Sequence, residues 1–195
     1  LKEIGMKRFK LLLFTALAVL MTFCIFSACG GGDEPPAPPV QYTVSVSSEN
    51  VTMGTVTCKD ANNTAVSSGS KVNENTVVKF TVTENTGYEF NGWYSGSQLV
   101  SSEKIYQVTV TSDVTLTAKF KAKTFALTFT SIDTSMGTVS GENSVVSGNA
   151  VAYQTTVTLT ATANTGYNFD GWFIGQELKS SSPSYSFSMP AQAVN

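Results

Sequence analysis

The sequence predicts an all-β protein made of two tandem copies of one small antiparallel-sheet module, and three observations carry that prediction. Over most of the chain after residue 40, apolar residues alternate with hydroxylated ones, which is the period of a strand with one dry and one wet face. A block of glycines and aromatics occurs twice in the same internal order, the signature of a repeated supersecondary unit. After residue 28 no stretch places apolar residues at helical spacing.

Composition bounds the answer before any element is assigned. A chain of 195 residues, 42% hydrophobic and 13% charged, suffices for one ordinary domain or two small ones, and fits neither disorder nor a multi-span membrane protein. It carries 12 basic and 14 acidic residues; setting aside Lys2, Lys7, Arg8, Lys10 and Glu3 at the amino terminus leaves 8 and 13, with no Arg. Phosphate neutralisation needs clustered cations, so a nucleic-acid partner is excluded. The chain has no His, which removes histidine-dependent catalysis.

The first element is a targeting segment. Met6 to Lys10 is a short cationic start, Leu11 to Phe26 an apolar run, and small residues follow, the order of a secretory signal. Leu1 to Gly5 precede the expected start. Phe26-Ser27-Ala28-Cys29-Gly30 resembles the lipobox of bacterial lipoproteins, with Phe26 where an aliphatic residue is usual. That resemblance implies lipid on Cys29, which becomes the first mature residue. The alternative is an uncleaved membrane helix over residues 11–28, near the lower length limit for a span.

Cysteine usage agrees with the lipoprotein reading. Cys24 leaves with the signal and Cys29 carries lipid, so Cys58 stands alone, without a disulfide partner or a metal-ligand set. It is expected to be a small half-buried strand residue. Acyl chains hold a membrane at ~0.8 kcal/mol per buried methylene, and stable anchoring takes more than one chain.

The next element, Gly30 to Pro39, combines three glycines with a proline-rich stretch, giving a swivel followed by extended polyproline II. It reads as a tether lifting a folded part off a surface. Asp33-Glu34 soon after the cysteine is similar to signals that send lipoproteins to the outer face in Bacteroides-like bacteria. The expected organisation is therefore a signal peptide with lipobox over 1–28, a tether over 29–41, a first module over 42–123 and a second over 124–195. The expected location is the outer membrane, exported, lipid-anchored and surface-exposed.

Within the modules, Gly87-Tyr88-Glu89-Phe90-Asn91-Gly92-Trp93 matches Gly166-Tyr167-Asn168-Phe169-Asp170-Gly171-Trp172, and Tyr106 to Val110 matches Tyr185 to Met189 at the same offset. Upstream, Met53-Gly54-Thr55-Val56-Thr57 matches Met136-Gly137-Thr138-Val139-Ser140 at an offset four residues greater. The second copy thus carries a deletion between its early hairpin and its middle strand, where a surface loop tolerates it. Tyr42, Val44 and Val46 share a face, as do Val78, Phe80 and Val82, then Tyr106, Val108 and Val110, then Val114, Leu116, Ala118 and Phe120. Threonines fill the alternate positions, where branching at Cβ suits a pleated strand. Met53-Gly54 and Met136-Gly137 read as tight turns with Gly at positive φ.

The aromatic block has two readings. Exposed rings bind sugars, but Tyr88 and Phe90 on one strand face most simply plug the core of a small module, each contributing about 1.5–3 kcal/mol. Gly92 and Gly171 would mark a bend or a close backbone approach. Trp93, Tyr94, Trp172 and Phe173 are the candidate ligand contacts, with Tyr94 and Phe173 the better two.

The early Gly-Thr-Val hairpin, the Thr-rich strand, Gly-Tyr-x-Phe-x-Gly-Trp and the closing Val-Thr-Leu-Thr-Ala-Lys-Phe strand together resemble the divergent internalin B-repeat family, also described as Listeria–Bacteroides repeats. The resemblance spans about Tyr42 to Lys121 and Phe125 to the end. It implies a compact β-grasp-like fold and tandem use on bacterial surface proteins as stalk or binding module, more firmly than it implies a ligand. The second copy departs from the pattern: Val114 to Phe120 closes the first, but residues 190–195 end where that strand should begin. The expectation is a fragment of a longer protein, with which Leu1 agrees; the alternative is a strand supplied by another chain through β-augmentation.

Chemistry is sparse. Glu89 aligns with Asn168, Asp170 with Asn91 and Glu84 with Ala163, so no carboxylate of the aromatic block recurs as a glycosidase pair would require. Ser and Thr are abundant but lack an activating base. No Gly-rich phosphate loop or acidic calcium loop is present. The chain is expected to be no enzyme, with no cofactor and no metal. Two function classes follow: a surface spacer or adhesin segment meeting a host or bacterial surface protein, its modules held semi-rigid by the short Lys121 to Thr124 link, or a glycan-binding module.

Overall fold

Eight strands build the first module, and their order explains where its core lies. They are β1 (Gln41–Ser48), β2 (Gly54–Asp60), β3 (Ser70–Asn73), β4 (Val77–Glu84), β5 (Tyr88–Ser95), β6 (Gln98–Ser101), β7 (Ile105–Thr109) and β8 (Val114–Ala122). The computed structural model describes residues 36–195. The signal segment, Cys29 and the Gly30–Pro35 part of the tether lie outside the described residues. Among the described residues there is no helix, as the alternating pattern requires, and hence none long and apolar enough to cross a membrane.

A five-stranded sheet in the order β3-β1-β8-β5-β6 faces a three-stranded sheet in the order β2-β4-β7. The alternation determines which side chains meet between them. Val44, Trp93, Leu116, Ala118 and Phe120 come from the larger sheet; Cys58, Val78, Phe80 and Val82 come from the smaller, and Val110 closes the end. Each apolar set named in the sequence points inward, with the threonines between them outward or at the margins. One pairing corrects the expectation of purely antiparallel sheets. β1 and β8 run parallel, Val44 opposite Val114 through Ser48 opposite Ala118, so the first and last strands of the module lie side by side at its centre. The other pairings are antiparallel.

The second module repeats this plan with β9 (Thr124–Ala126), β10 (Gly137–Gly141), β11 (Ala150–Ala152), β12 (Thr156–Ala163), β13 (Trp172–Ile174), β14 (Glu177–Ser180) and β15 (Ser184–Ser188). The sheet β10-β12-β15 reproduces β2-β4-β7. The larger sheet is split: β9 pairs only with β11 and β13 only with β14, because nothing in residues 36–195 takes the place of β8 between them. Strands are defined by their partners, so the counterpart of β1 shrinks from 8 residues to 3 and the counterpart of β5 likewise from 8 to 3. The core keeps Leu127, Val157, Leu159, Trp172 and Met189, at the positions of Val44, Val78, Phe80, Trp93 and Val110. The four-residue deletion falls between β10 and β11, in exposed loop, as expected.

The Met-Gly pairs correct a second expectation. Gly54 and Gly137 are absent from the residues at positive φ, so the left-handed turn is not their purpose. Each opens a strand where backbone crowds. A Cβ on Gly54 would collide with the Phe120 ring and the Thr83 carbonyl, and one on Gly137 with the Thr162 carbonyl. Close approach, not turn geometry, selects glycine there.

Candidate functional site

Two surfaces and one junction concentrate the chemistry of the described residues. The aromatic block of the first module is mostly core. Trp93 is fully buried, its ring 5.7 Å from Phe80 and 5.5 Å from Phe90, and its indole N–H donates to the Glu103 carbonyl at 3.1 Å. Phe90 in turn meets Phe120 at 5.9 Å. A ring packed on both faces by protein has none left for a sugar, so Trp93 is not available as a ligand contact. A bulge between Phe90 and Gly92 turns the strand, and Leu99 packs where a side chain on Gly92 would stand.

Tyr94, next along the strand, points to the other face and is partly exposed. The Lys119 ammonium lies 4.8 Å from its ring centre and the Asn91 amide reaches its hydroxyl at 3.4 Å. In the second module Trp172 repeats Trp93, with its N–H donating to the Pro183 carbonyl at 3.2 Å and Phe169 5.7 Å away. Phe173 repeats Tyr94 and is 46% exposed, since the strand that carries Lys119 has no counterpart beside it. Tyr94 and Phe173 are thus the two candidate contacts whose rings reach solvent.

The junction between the modules is built from residues that the repeat comparison did not single out. β8 ends at Ala122 and β9 begins at Thr124, so Lys123 alone separates them. Its N–H donates to the Gly87 carbonyl at 2.8 Å and its carbonyl accepts from the Tyr153 N–H at 2.8 Å. The Tyr153 ring covers Gly87 and meets Tyr88 edge-on at 5.3 Å. The Tyr88 hydroxyl pairs with the Gln154 side-chain oxygen at 2.9 Å. Tyr88 is consequently buried while its repeat partner Tyr167 is 47% exposed.

Glu84 ties the same corner together. Its carboxylate accepts from the Phe90 N–H at 2.8 Å, pairs with Lys104 at 2.9 Å and lies 3.8 Å from Lys123. The Phe90 N–H does most to hold the carboxyl below its ordinary value; partial desolvation opposes it, and the two lysines add to the lowering. Cys58 is more deeply buried than expected, and that burial, with a smaller contribution from the Asp60 charge, pushes its thiol up to about 11. Such a thiol is inert.

The remaining feature is a cleft of about 580 Å³ in the second module, between residues 127–131 on one wall and 168–175 on the other. Leu159, Tyr185 and Phe187 form its apolar floor, and Trp172 lies at its side. The sequence signalled this cleft through the missing closing strand, although none of its floor residues stood out individually. Among the described residues no three His, Cys, Asp or Glu side chains gather as a metal site.

No curated protein and no solved structure matches the chain. The family model described as the divergent InlB B-repeat domain matches residues 42–124 and again residues 127–195. The chain therefore belongs to the divergent InlB B-repeat family, a surface-repeat type and not an enzyme class, of which it carries two tandem copies.

Proposed function

We propose that this chain is a non-enzymatic lipoprotein of the bacterial outer surface whose two repeats act as a short stiff stalk or protein-interaction segment. Lipid on Cys29 moors it, and the glycine and proline tether lifts the modules clear of the membrane. The observation that carries the stalk reading is the junction: one residue of link, backbone hydrogen bonds on both sides of it, and Tyr88 packed against Tyr153. A binding module on a flexible leash needs no such coupling, whereas a spacer depends on it. Radiolabelled fatty acid should enter the protein and fail to enter Cys29→Ser, and protease added to intact cells should remove the modules. Small-angle scattering should give one extended shape that broadens in Tyr88→Ala. Label in Cys29→Ser, or the same scattering curve for both proteins, sinks the corresponding half of the reading.

A second reading, glycan binding, draws on the solvent-reaching rings of Tyr94 and Phe173, with Lys119 and Asn91 beside the former. A glycan array separates the two readings. Binding lost in Tyr94→Ala or Phe173→Ala without unfolding favours the glycan, and a blank array on folded protein favours the stalk.

A further inference from the structure

The cleft of the second module has a template for its occupant inside the same chain. In the first module the equivalent space holds β8, parallel to β1 and antiparallel to β5. There Leu116, Ala118 and Phe120 turn inward, 4%, 0% and 7% exposed. The walls and floor that receive them recur in the second module: Gly137 stands for Gly54, Phe169 for Phe90 and Trp172 for Trp93, and all three line the cleft.

The backbone is prepared as well. Val194 forms a parallel bridge with Leu127, as Val114 does with Val44, accepting from the Thr128 N–H at 2.8 Å and donating to the Ala126 carbonyl at 3.0 Å. Beyond it, residues 130–131 and 168–170 make no backbone-to-backbone hydrogen bond with any described residue. Their counterparts in the first module are paired to β8, Ser47 to Thr117 and Phe90 to Phe120 among them. Two unpaired strand edges facing each other across an apolar floor are a receptor for one more strand.

We propose that this cleft is a strand-acceptor site for an extended peptide that runs parallel to residues 128–131. Its inward positions carry, in order, a branched aliphatic, a small and an aromatic residue, as Leu116, Ala118 and Phe120 do. The partner is a polypeptide strand: the facing backbone edges recognise another backbone, which a sugar or lipid cannot supply. The aliphatic and aromatic positions provide register, since a slip by one residue would turn them to solvent.

The test uses the full chain and a synthetic peptide of residues 116–122, with a control peptide carrying Leu116→Asp and Phe120→Asp. Amide hydrogen exchange is read at residues 128–131 and 168–173. The native peptide should slow exchange there at least about tenfold at saturation, leave β2, β4 and β7 unchanged, and the control should do nothing. In a second arm the same seven residues are appended after Asn195, where they continue directly from the Val194 bridge. That extended chain should show the same protection without added peptide and a higher unfolding midpoint, lost with the two aspartates. Equal effects of native and control peptides, no protection in either arm, or protection that appears with protein concentration alone through pairing of two copies would each overturn the assignment.

Discussion

The two modules share a plan and five buried core positions, yet only the first is closed. Val44, Val78, Phe80, Trp93 and Val110 have their counterparts in Leu127, Val157, Leu159, Trp172 and Met189. What separates the modules is β8. It contributes three inward side chains, the hydrogen bonds that make β1 and β5 long strands, and Lys119 over Tyr94. Without it, Tyr167, Phe173, Ile174 and Leu178 of the second module are all more than a third exposed. The smaller sheet survives intact in both, so its pairing is self-sufficient, whereas the larger sheet depends on its central strand.

The largest expected effect comes from the tryptophans. Trp93→Ala empties a closed core and should cost about 3–5 kcal/mol, enough to unfold a small module. Trp172→Ala removes a ring already beside open space and should cost distinctly less. Alkylation of Cys58, whose buried thiol stays unreactive while the first module is folded, reports the former, and amide exchange in β12 reports the latter. Equal losses would end the distinction between a closed and an open core.

Next in size, Phe120→Ala should make the first module resemble the second, at about 3–4 kcal/mol, with faster exchange in β1 and β5 while β2, β4 and β7 hold. Uniform destabilisation of both sheets would show that β8 does not act chiefly through the larger one.

Two smaller effects sharpen the asymmetry. Tyr88→Phe deletes the hydroxyl contact with Gln154 and should weaken the coupling between modules by about 0.5–1.5 kcal/mol, while Tyr167→Phe should change nothing measurable in thermal unfolding. Glu84 has a lowered pKa, so its contribution is present above the ordinary carboxylate value and is lost as pH falls through the folded one. That contribution is about 1 kcal/mol once its exposed lysine partners are discounted for screening. Acid titration should therefore weaken the first module in this range, and Glu84→Gln should flatten the dependence. In the second module Ala163 occupies the position and no such term exists.

Much of this fold was legible because alternation is a direct record of burial. Val78, Phe80 and Val82 had to face one way whatever their partners were. The parallel pairing of β1 with β8 was not legible, since period-two patterning is blind to strand direction. The role of Gly54 was misread for a related reason: a glycine between two strand-like runs looks the same whether it turns the chain or admits the Phe120 ring. Trp93 could not be separated from Tyr94 as a ligand contact until the strand face was known. Tyr153 and Gln154 escaped notice because they replace Glu74 and Asn75 of the first module, so the comparison of repeats, which rewards identity, passed over the two residues that join them.

Tension applied along the chain would meet the parallel pair first. β1 begins at Gln41 and β8 ends at Ala122, at opposite ends of neighbouring strands, so pulling on the module from both sides slides one against the other. The five register pairs from Val44 to Ser48 then bear the load together and do not peel one by one. A bead so wired resists shear from flowing liquid far better than its modest thermodynamic stability would suggest.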